Sequence, residues 1–147
     1  MKTKILVSVL AVVFLAACGK DKYNTNPTIK LKSVGNKVVP FNGILRVEFE
    51  ITDKEGDISD TLYFKKIRTN KRTTGTVRDS LAFQIPAAPT TRDGFIEMNL
   101  QYQNHLIAAI SPGNPVQNDT LTLQFTVRDK AKNKSEPVTI ENVVVIR

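Results

Sequence analysis

Residues 45–51 read Leu-Arg-Val-Glu-Phe-Glu-Ile, and this stretch decides the fold class. Apolar side chains at Leu45, Val47, Phe49 and Ile51 alternate with a charged side chain at every position between them. Successive side chains of a β-strand point to opposite faces, so this period of two predicts a strand with one face in a core and the other in water. Strands of this kind are typical of antiparallel sheets that are covered on one side.

The same alternation recurs on both sides of this stretch. It predicts six further strands, within residues 29–31, 62–64, 81–85, 96–102, 121–127 and 138–146. Gly, Pro, Asn and Asp occupy the gaps, and only residues 105–110 are compatible with a short helical turn. The sequence therefore predicts an all-β fold: a single immunoglobulin-like or fibronectin-like β-sandwich of about seven antiparallel strands.

Two polar residues interrupt the alternation. Lys66 follows Leu62 and Phe64 where an apolar residue is expected, and Asn142 separates Ile140 from the apolar run at residues 143–146. Each interruption predicts a β-bulge or an edge transition. The apolar run is also the best candidate in the sequence for a long unprotected edge strand.

The N-terminal residues 1–17 have the features of a secretory signal peptide. Lys2 and Lys4 precede a ten-residue run, residues 5–14, in which only Ser8 is polar. Spanning a bilayer takes about 20 apolar residues, so the run is too short for a transmembrane helix. The following Leu15-Ala16-Ala17-Cys18 resembles a bacterial lipobox, which implies that Cys18 is acylated, for example with palmitate, and becomes the first residue of the mature chain.

This leader sets the expected organisation and location of the chain. We expect a lipoprotein signal peptide at residues 1–17, an acylated Cys18 with a flexible tether at residues 18–27, and the sandwich at residues 28–147. By resemblance, Gly19 favours the outer membrane, and Lys20-Asp21-Lys22 is similar to part of a surface-export signal. We therefore expect a lipid-anchored outer-membrane protein at the cell surface or facing the periplasm, held to the membrane through its N-terminal lipid.

The most suggestive local feature is an acidic turn between the second and third predicted strands. It contains Asp53, Glu55, Asp57 and Asp60, and the loop near Asp129 belongs to the same end of an immunoglobulin-like sandwich. Oxygen ligands from these two loops could hold Ca²⁺, although the spacing is not that of an EF-hand. Asp, Asn and Gly are also ordinary turn formers, and neighbouring lysines could neutralise the acids without a metal.

These turns and the lipobox together resemble small immunoglobulin-like lipoproteins of the Bacteroidota type. The resemblance rests on Asp53-Lys54-Glu55-Gly56-Asp57-Ile58 and on the segment at residues 127–135, before the last strand. Members of this loose family usually carry Asp-x-Ala-Gly-Asn-x-Ser in that segment, where this chain has Lys132 in place of Gly. The family implies an immunoglobulin-like body but no common catalytic activity.

Composition and residue content narrow the function classes. The formal net charge is +7, with a basic stretch at residues 65–72, but export of the chain argues against a nucleic-acid partner. We expect this stretch to be a solvated hairpin; the alternative is attraction to anionic lipids, lipopolysaccharide phosphates or acidic glycans. Cys18 is the only Cys and His105 the only His, which leaves little basis for thiol catalysis, a zinc site or a Ser-His-Asp triad. We therefore expect no enzyme and no cofactor apart from Ca²⁺.

The function expected from these observations is a non-catalytic binding or accessory module with an envelope protein or glycan as partner. Tyr63 and Phe95 point to the wet faces by alternation and are the candidate binding residues. A structural envelope subunit without a discrete ligand site is the alternative, and a hydrolase is a remote one.

Overall fold

The computed structural model describes residues 26–58, 60–70, 78–86, 92–108, 110 and 115–147. The signal peptide, Cys18, most of the tether and part of the basic stretch lie outside these residues. The described part contains eight strands and one π-helical turn, at Tyr102–Leu106. The strands are β1 (Thr28–Val34), β2 (Val38–Val39), β3 (Ile44–Thr52), β4 (Thr61–Arg68), β5 (Arg78–Gln84), β6 (Asp93–Gln101), β7 (Asp119–Arg128) and β8 (Val138–Val145).

These strands form two sheets, and the predicted all-β sandwich is confirmed. One sheet has the order β1-β3-β6 and the other the order β2-β8-β7-β4-β5. All pairs are antiparallel except β2 with β8, which is parallel. The sequence predicted seven strands, and the additional one is β2, whose two residues are too few to produce an alternation.

An aromatic cluster joins the two sheets at the centre of the core. The rings of Phe49 on β3 and Phe125 on β7 have centroids 4.7 Å apart, and Phe64 on β4 lies 5.4 Å from Phe125. All three side chains are fully buried, as the alternation predicted. Aromatic pairs at these separations add to the free energy gained by burying their surface.

The bulge expected at Lys66 is absent, and that prediction was wrong. β4 pairs with both β5 and β7 without a register shift, and Lys66 simply points inward, fully buried. Its ammonium group donates to two backbone carbonyls, so the strand can continue with a cation on its inner face. Two residues on, Arg68 is also buried, and its Nε lies 2.6 Å from the buried carboxylate of Asp119.

The bulge expected at Asn142 is confirmed. Between Ile140 and Val143 the register of β8 against β7 shifts, and Asn142 takes a left-handed backbone with φ of 60°. The expected open edge at residues 143–146 was wrong, however. β2 covers this segment by parallel pairing of Val38 with Val144 and of Val39 with Val145.

The strand register defines two ends of the sandwich. Thr28, Thr52 and Asp93 lie side by side at one end, where β1 begins; we call it the tether end, after the tether expected to precede β1. Ile44 and Gln101 pair at the other end of β3, which we call the far end. A nine-residue strand at about 3.4 Å per residue separates the two ends by about 27 Å.

Candidate functional site

The acidic turn and the loop that follows β7 meet at the tether end. Carboxylate oxygens of Asp53, Asp57 and Asp129 all lie within 4.8 Å of one another. The backbone also joins the loops, because the N–H of Lys130 donates to the carbonyl oxygen of Asp57 at 3.1 Å. The sandwich topology thus brings Asp129 to the acidic turn, as the sequence predicted.

Most oxygens of these three carboxylates already accept hydrogen bonds from their own loops. Asp53 accepts from the N–H groups of Glu55 and Asp57, and Asp129 accepts from the backbone and the side chain of Asn133. Asp57 Oδ2 accepts from the N–H of Ala131 across the two loops. Hydrogen bonding to Asp53, then burial, raises the pKa of Asp57 above its ordinary value. The cluster therefore stabilises the two loops and their contact through hydrogen bonds.

Two of the five predicted calcium ligands are not part of this cluster. Glu55 is exposed, and Asp60 is paired instead with Arg128, whose Nε lies 2.6 Å from Asp60 Oδ2. Lys132 Nζ lies 3.3 Å from the same oxygen. The hydrogen bond from Arg128 is the main cause of the lowered pKa of Asp60. Only Asp53, Asp57 and Asp129 remain as candidate cation ligands.

Lys132 occupies a strained position in the same loop. Its φ is 74°, in the left-handed region that glycine adopts at least cost. This is the position at which the resembling family usually has Gly. The loop keeps the same turn with Lys, and the N–H of Lys132 still donates to the carbonyl oxygen of Asp129 at 3.2 Å.

At the far end, two exposed apolar side chains lie close together in the chain, one in the turn between β2 and β3 and one at the first residue of β3. Phe41 is 64% exposed and Ile44 is 58% exposed. We call these two residues the far-end patch. The alternation does not extend into this turn, so it could not predict the far-end patch. The one sequence feature that pointed to the patch is an aromatic residue between Pro40 and Gly43.

The turn that carries this patch is held in place from several sides. The N–H of Gly43 donates to the carbonyl oxygen of Pro40, and the N–H of Tyr102 donates to the carbonyl oxygen of Gly43. The Phe41 ring makes an edge contact with buried Tyr102, with centroids 5.2 Å apart. A Cβ at position 43 would lie 2.8 Å from the Pro40 ring, so only glycine fits there.

The two predicted binding residues lie on opposite outer faces of the sandwich. Phe95, on the outer face of β6, is 75% exposed, with Lys32 Nζ 5.8 Å from its ring centroid. Tyr63, on the outer face of β4, is half-buried beneath Arg128 and Lys134. Both point outward as predicted, but they cannot belong to one site.

A cleft of about 290 Å³ lies between the two sheets, where β5 and β6 face each other without pairing. Its lining is mostly apolar and includes Phe83, Ile96 and Met98. His105 also lines it, with Nδ1 accepting a hydrogen bond from the N–H of Gln101 at 2.9 Å. Burial, then the positive charge of Lys66, lowers the pKa of His105.

Comparison with known proteins gives distant structural similarity only. No family model matches the chain, and no curated protein matches it. A protein described as late embryogenesis abundant (LEA) is similar with 11% identity and a TM-score of 0.41, over 96% of this chain and 83% of that one. A β-glucosidase from Listeria innocua, solved with gluconolactone, is similar with 14% identity and a TM-score of 0.39, over 84% of this chain and 16% of the glucosidase.

The chain thus spans about one sixth of the glucosidase, and similarity at these TM-scores supports no functional argument. Among the described residues, no helix has the length and apolar character needed to cross a membrane.

Proposed function

We propose that this chain is a non-catalytic binding module, attached to the bacterial envelope through lipid on Cys18, that contacts an envelope protein through the far-end patch. The observation that carries this proposal is the pair of Phe41 and Ile44, more than half exposed on a turn whose backbone is fixed. A rigid aromatic anchor is typical of residues that dominate the free energy of a protein interface, because little conformational entropy is lost when it binds.

The position of the patch supports an anchored module. A tether at residues 18–27 enters the sandwich beside Thr28, at the end opposite Phe41. A lipid-anchored chain would therefore present the far-end patch away from its own bilayer, about 27 Å beyond the point where the tether enters.

The alternative, a structural subunit, would depend on strand edges that are free for backbone pairing. Its expected edge at residues 143–146 is covered by β2, whereas β5 and β6 each have one edge that no described strand pairs with. Such a subunit would assemble through backbone pairing at these edges and would be insensitive to the side chain at position 41. The remote hydrolase alternative has no comparable support, because the acidic cluster is engaged in loop hydrogen bonds.

A capture experiment with matched variants tests the proposal. The mature chain with Cys18→Ser is immobilised and exposed to solubilised envelope proteins from the producing cells. Phe41→Ser with Ile44→Ser should abolish recovery of the partner. Phe95→Ser, which removes a still more exposed aromatic side chain from a sheet face, should not. Equal recovery by the wild type and the double variant would contradict a role for the patch.

For the acidic cluster we propose the structural role of a loop clasp, with Ca²⁺ binding as the alternative. Five of the six carboxylate oxygens of Asp53, Asp57 and Asp129 accept hydrogen bonds from the two loops, whereas Asp57 Oδ1 is buried and accepts none from the described residues. Unfolding is followed by thermal shift in EDTA and in millimolar Ca²⁺. The clasp predicts the same midpoint in both, and a saturable rise that Asp57→Asn removes would instead establish the metal site.

A further inference from the structure

The outer face of the five-stranded sheet carries a shallow groove between its central strand β7 and its edge strand β5. It has a volume of about 270 Å³ and crosses the neighbouring strands β5, β4 and β7. We call it the Tyr63 groove. The polar side chains that line it are Tyr63, Lys65, Ser80, Gln124, Thr126 and Lys134.

The charge of this groove is positive and uncompensated. Arg128 is neutralised by Asp60, but neither Lys65 nor Lys134 forms an ion pair with another described residue. Asp79, the one acid of β5, is turned inward and lies 3.3 Å from Lys66 Nζ. No outward position of β4 or β7 holds a carboxylate, and the charged side chains on the outer face of these two strands are the cations Lys65 and Arg128.

The Tyr63 ring helps to place one of these cations. Lys134 Nζ lies 5.5 Å from the ring centroid, and the guanidinium carbon of Arg128 lies 5.4 Å from it. Attraction to the π face restricts the Lys134 side chain, which would otherwise be free in solvent. An anion that binds here therefore meets a partly ordered ammonium group rather than a mobile one.

The other groups of the groove indicate what kind of anion it suits. Hydroxyl and amide groups of Ser80, Gln124 and Thr126 can each donate and accept. Ser80 lies on β5 and the other two on β7, the strands that flank β4 at about 4.8 Å on either side. Sugar hydroxyls match such groups, and an extended polymer can reach several of them at once. A compact phosphate would use the cations alone.

From this combination we propose that the Tyr63 groove binds an acidic glycan, with Lys65 and Lys134 pairing with its anionic groups and the neutral side chains binding its hydroxyls. This surface is separate from the far-end patch, so the proposal does not depend on a protein partner there.

Calorimetric titration of the mature chain with Cys18→Ser tests this proposal at about 0.15 M salt. The probes are polygalacturonate, dextran sulfate, neutral dextran and phosphatidylglycerol vesicles. Saturable binding of at least one acidic polysaccharide, without binding of neutral dextran, is expected. Lys65→Gln with Lys134→Gln should weaken it at least tenfold, and Tyr63→Phe should weaken it less.

The matched control is Lys30→Gln with Lys37→Gln, which removes the same charge from β1 and from the segment before β2. This control should change the affinity by less than threefold. Equal losses in the two double variants would show attraction to net charge only and would overturn the proposal. It would also be overturned by failure of both acidic polysaccharides to bind, or by binding of the vesicles alone with the same dependence on Lys65 and Lys134.

Discussion

The side-chain nitrogen of Lys66 donates a hydrogen bond of 2.8 Å to the backbone carbonyl oxygen of His105. Lys66 lies on β4 of one sheet, between β7 and the edge strand β5, and His105 lies in the π-helical turn that follows β6 of the other sheet. The same ammonium group also donates to the carbonyl oxygen of Ala108. Because Tyr102 in this turn supports the Phe41 ring, a buried cation stabilises the platform beneath the far-end patch.

Truncation of this cation should strongly destabilise the fold. Lys66→Ala leaves two carbonyls without their donor and opens a cavity, so we expect the free energy of unfolding to fall by about 2–4 kcal/mol. Lys65→Ala, one residue earlier and pointing outward, should change it by less than about 0.5 kcal/mol. Urea denaturation of both variants measures the difference, and similar losses would show that Lys66 has no special role.

Stability should decrease in mild acid because of His105. Its pKa is held below the ordinary 6.5 by burial and by Lys66, so the unfolded chain takes up the proton first as the pH falls. The free energy of unfolding should therefore decline from pH 7.5 to pH 5.5. A proton on Nδ1 would also remove the acceptor for the Gln101 N–H.

The matched variant for this prediction is His105→Asn, which keeps a short-chain acceptor but does not titrate. Its free energy of unfolding, measured by urea denaturation across the same pH range, should be nearly constant. An unchanged slope in the variant would assign the acid sensitivity to another group.

Disruption of the loop clasp formed by Asp53, Asp57 and Asp129 should lower the free energy of unfolding by less than truncation of Lys66 does. Asp129→Ala removes the acceptor for two donors of Asn133 in a buried position, and we expect about 1–3 kcal/mol of destabilisation. Glu55→Ala, in the acidic turn but exposed, should have little effect. Thermal unfolding compares the two, and a larger loss for Glu55→Ala would refute the assignment of the clasp.

Replacing Lys132 by glycine should stabilise the chain. Lys132→Gly relieves a left-handed backbone that costs a non-glycine residue about 1–2 kcal/mol. The greater freedom of glycine in the unfolded chain and the lost ion pair with Asp60 reduce the gain to about 0.5–1 kcal/mol. Lys130→Gly, in the same loop but without positive φ, should instead destabilise the chain. Denaturant midpoints measure both variants, and a lower midpoint for Lys132→Gly than for the wild type would contradict the prediction.

The regular part of this fold was predictable because burial repeats with a period of two. The alternation at residues 45–51, and in the strands like it, is enough to assign the inward and outward faces of both sheets. The alternation gave a wrong prediction at Lys66, because a buried cation needs hydrogen-bond acceptors from elsewhere in the chain. The sequence around Lys66 does not show that the carbonyls of His105 and Ala108 reach it.

The candidate sites were predictable only in part, for a similar reason. Sandwich topology sufficed to bring Asp129 to the acidic turn. Which carboxylates converge depends on backbone hydrogen bonds and on the pairing of Asp60 with Arg128, and neither follows from spacing. The far-end patch depends on Tyr102, which packs against Phe41 from a π-helical turn far along the chain.

Site-specific photo-crosslinking in the producing cells is the direct test of whether a lipid-anchored chain contacts a protein through the far-end patch. A benzophenone amino acid replaces Phe41 in the full-length, Cys18-containing chain, and a second chain carries it in place of Phe95. We expect the chain to partition with membranes and to incorporate a palmitate analogue, and we expect Cys18→Ser to prevent this incorporation. A discrete protein adduct should form from position 41 and not from position 95. An unlabelled chain, or the same adducts from both positions, would contradict these expectations.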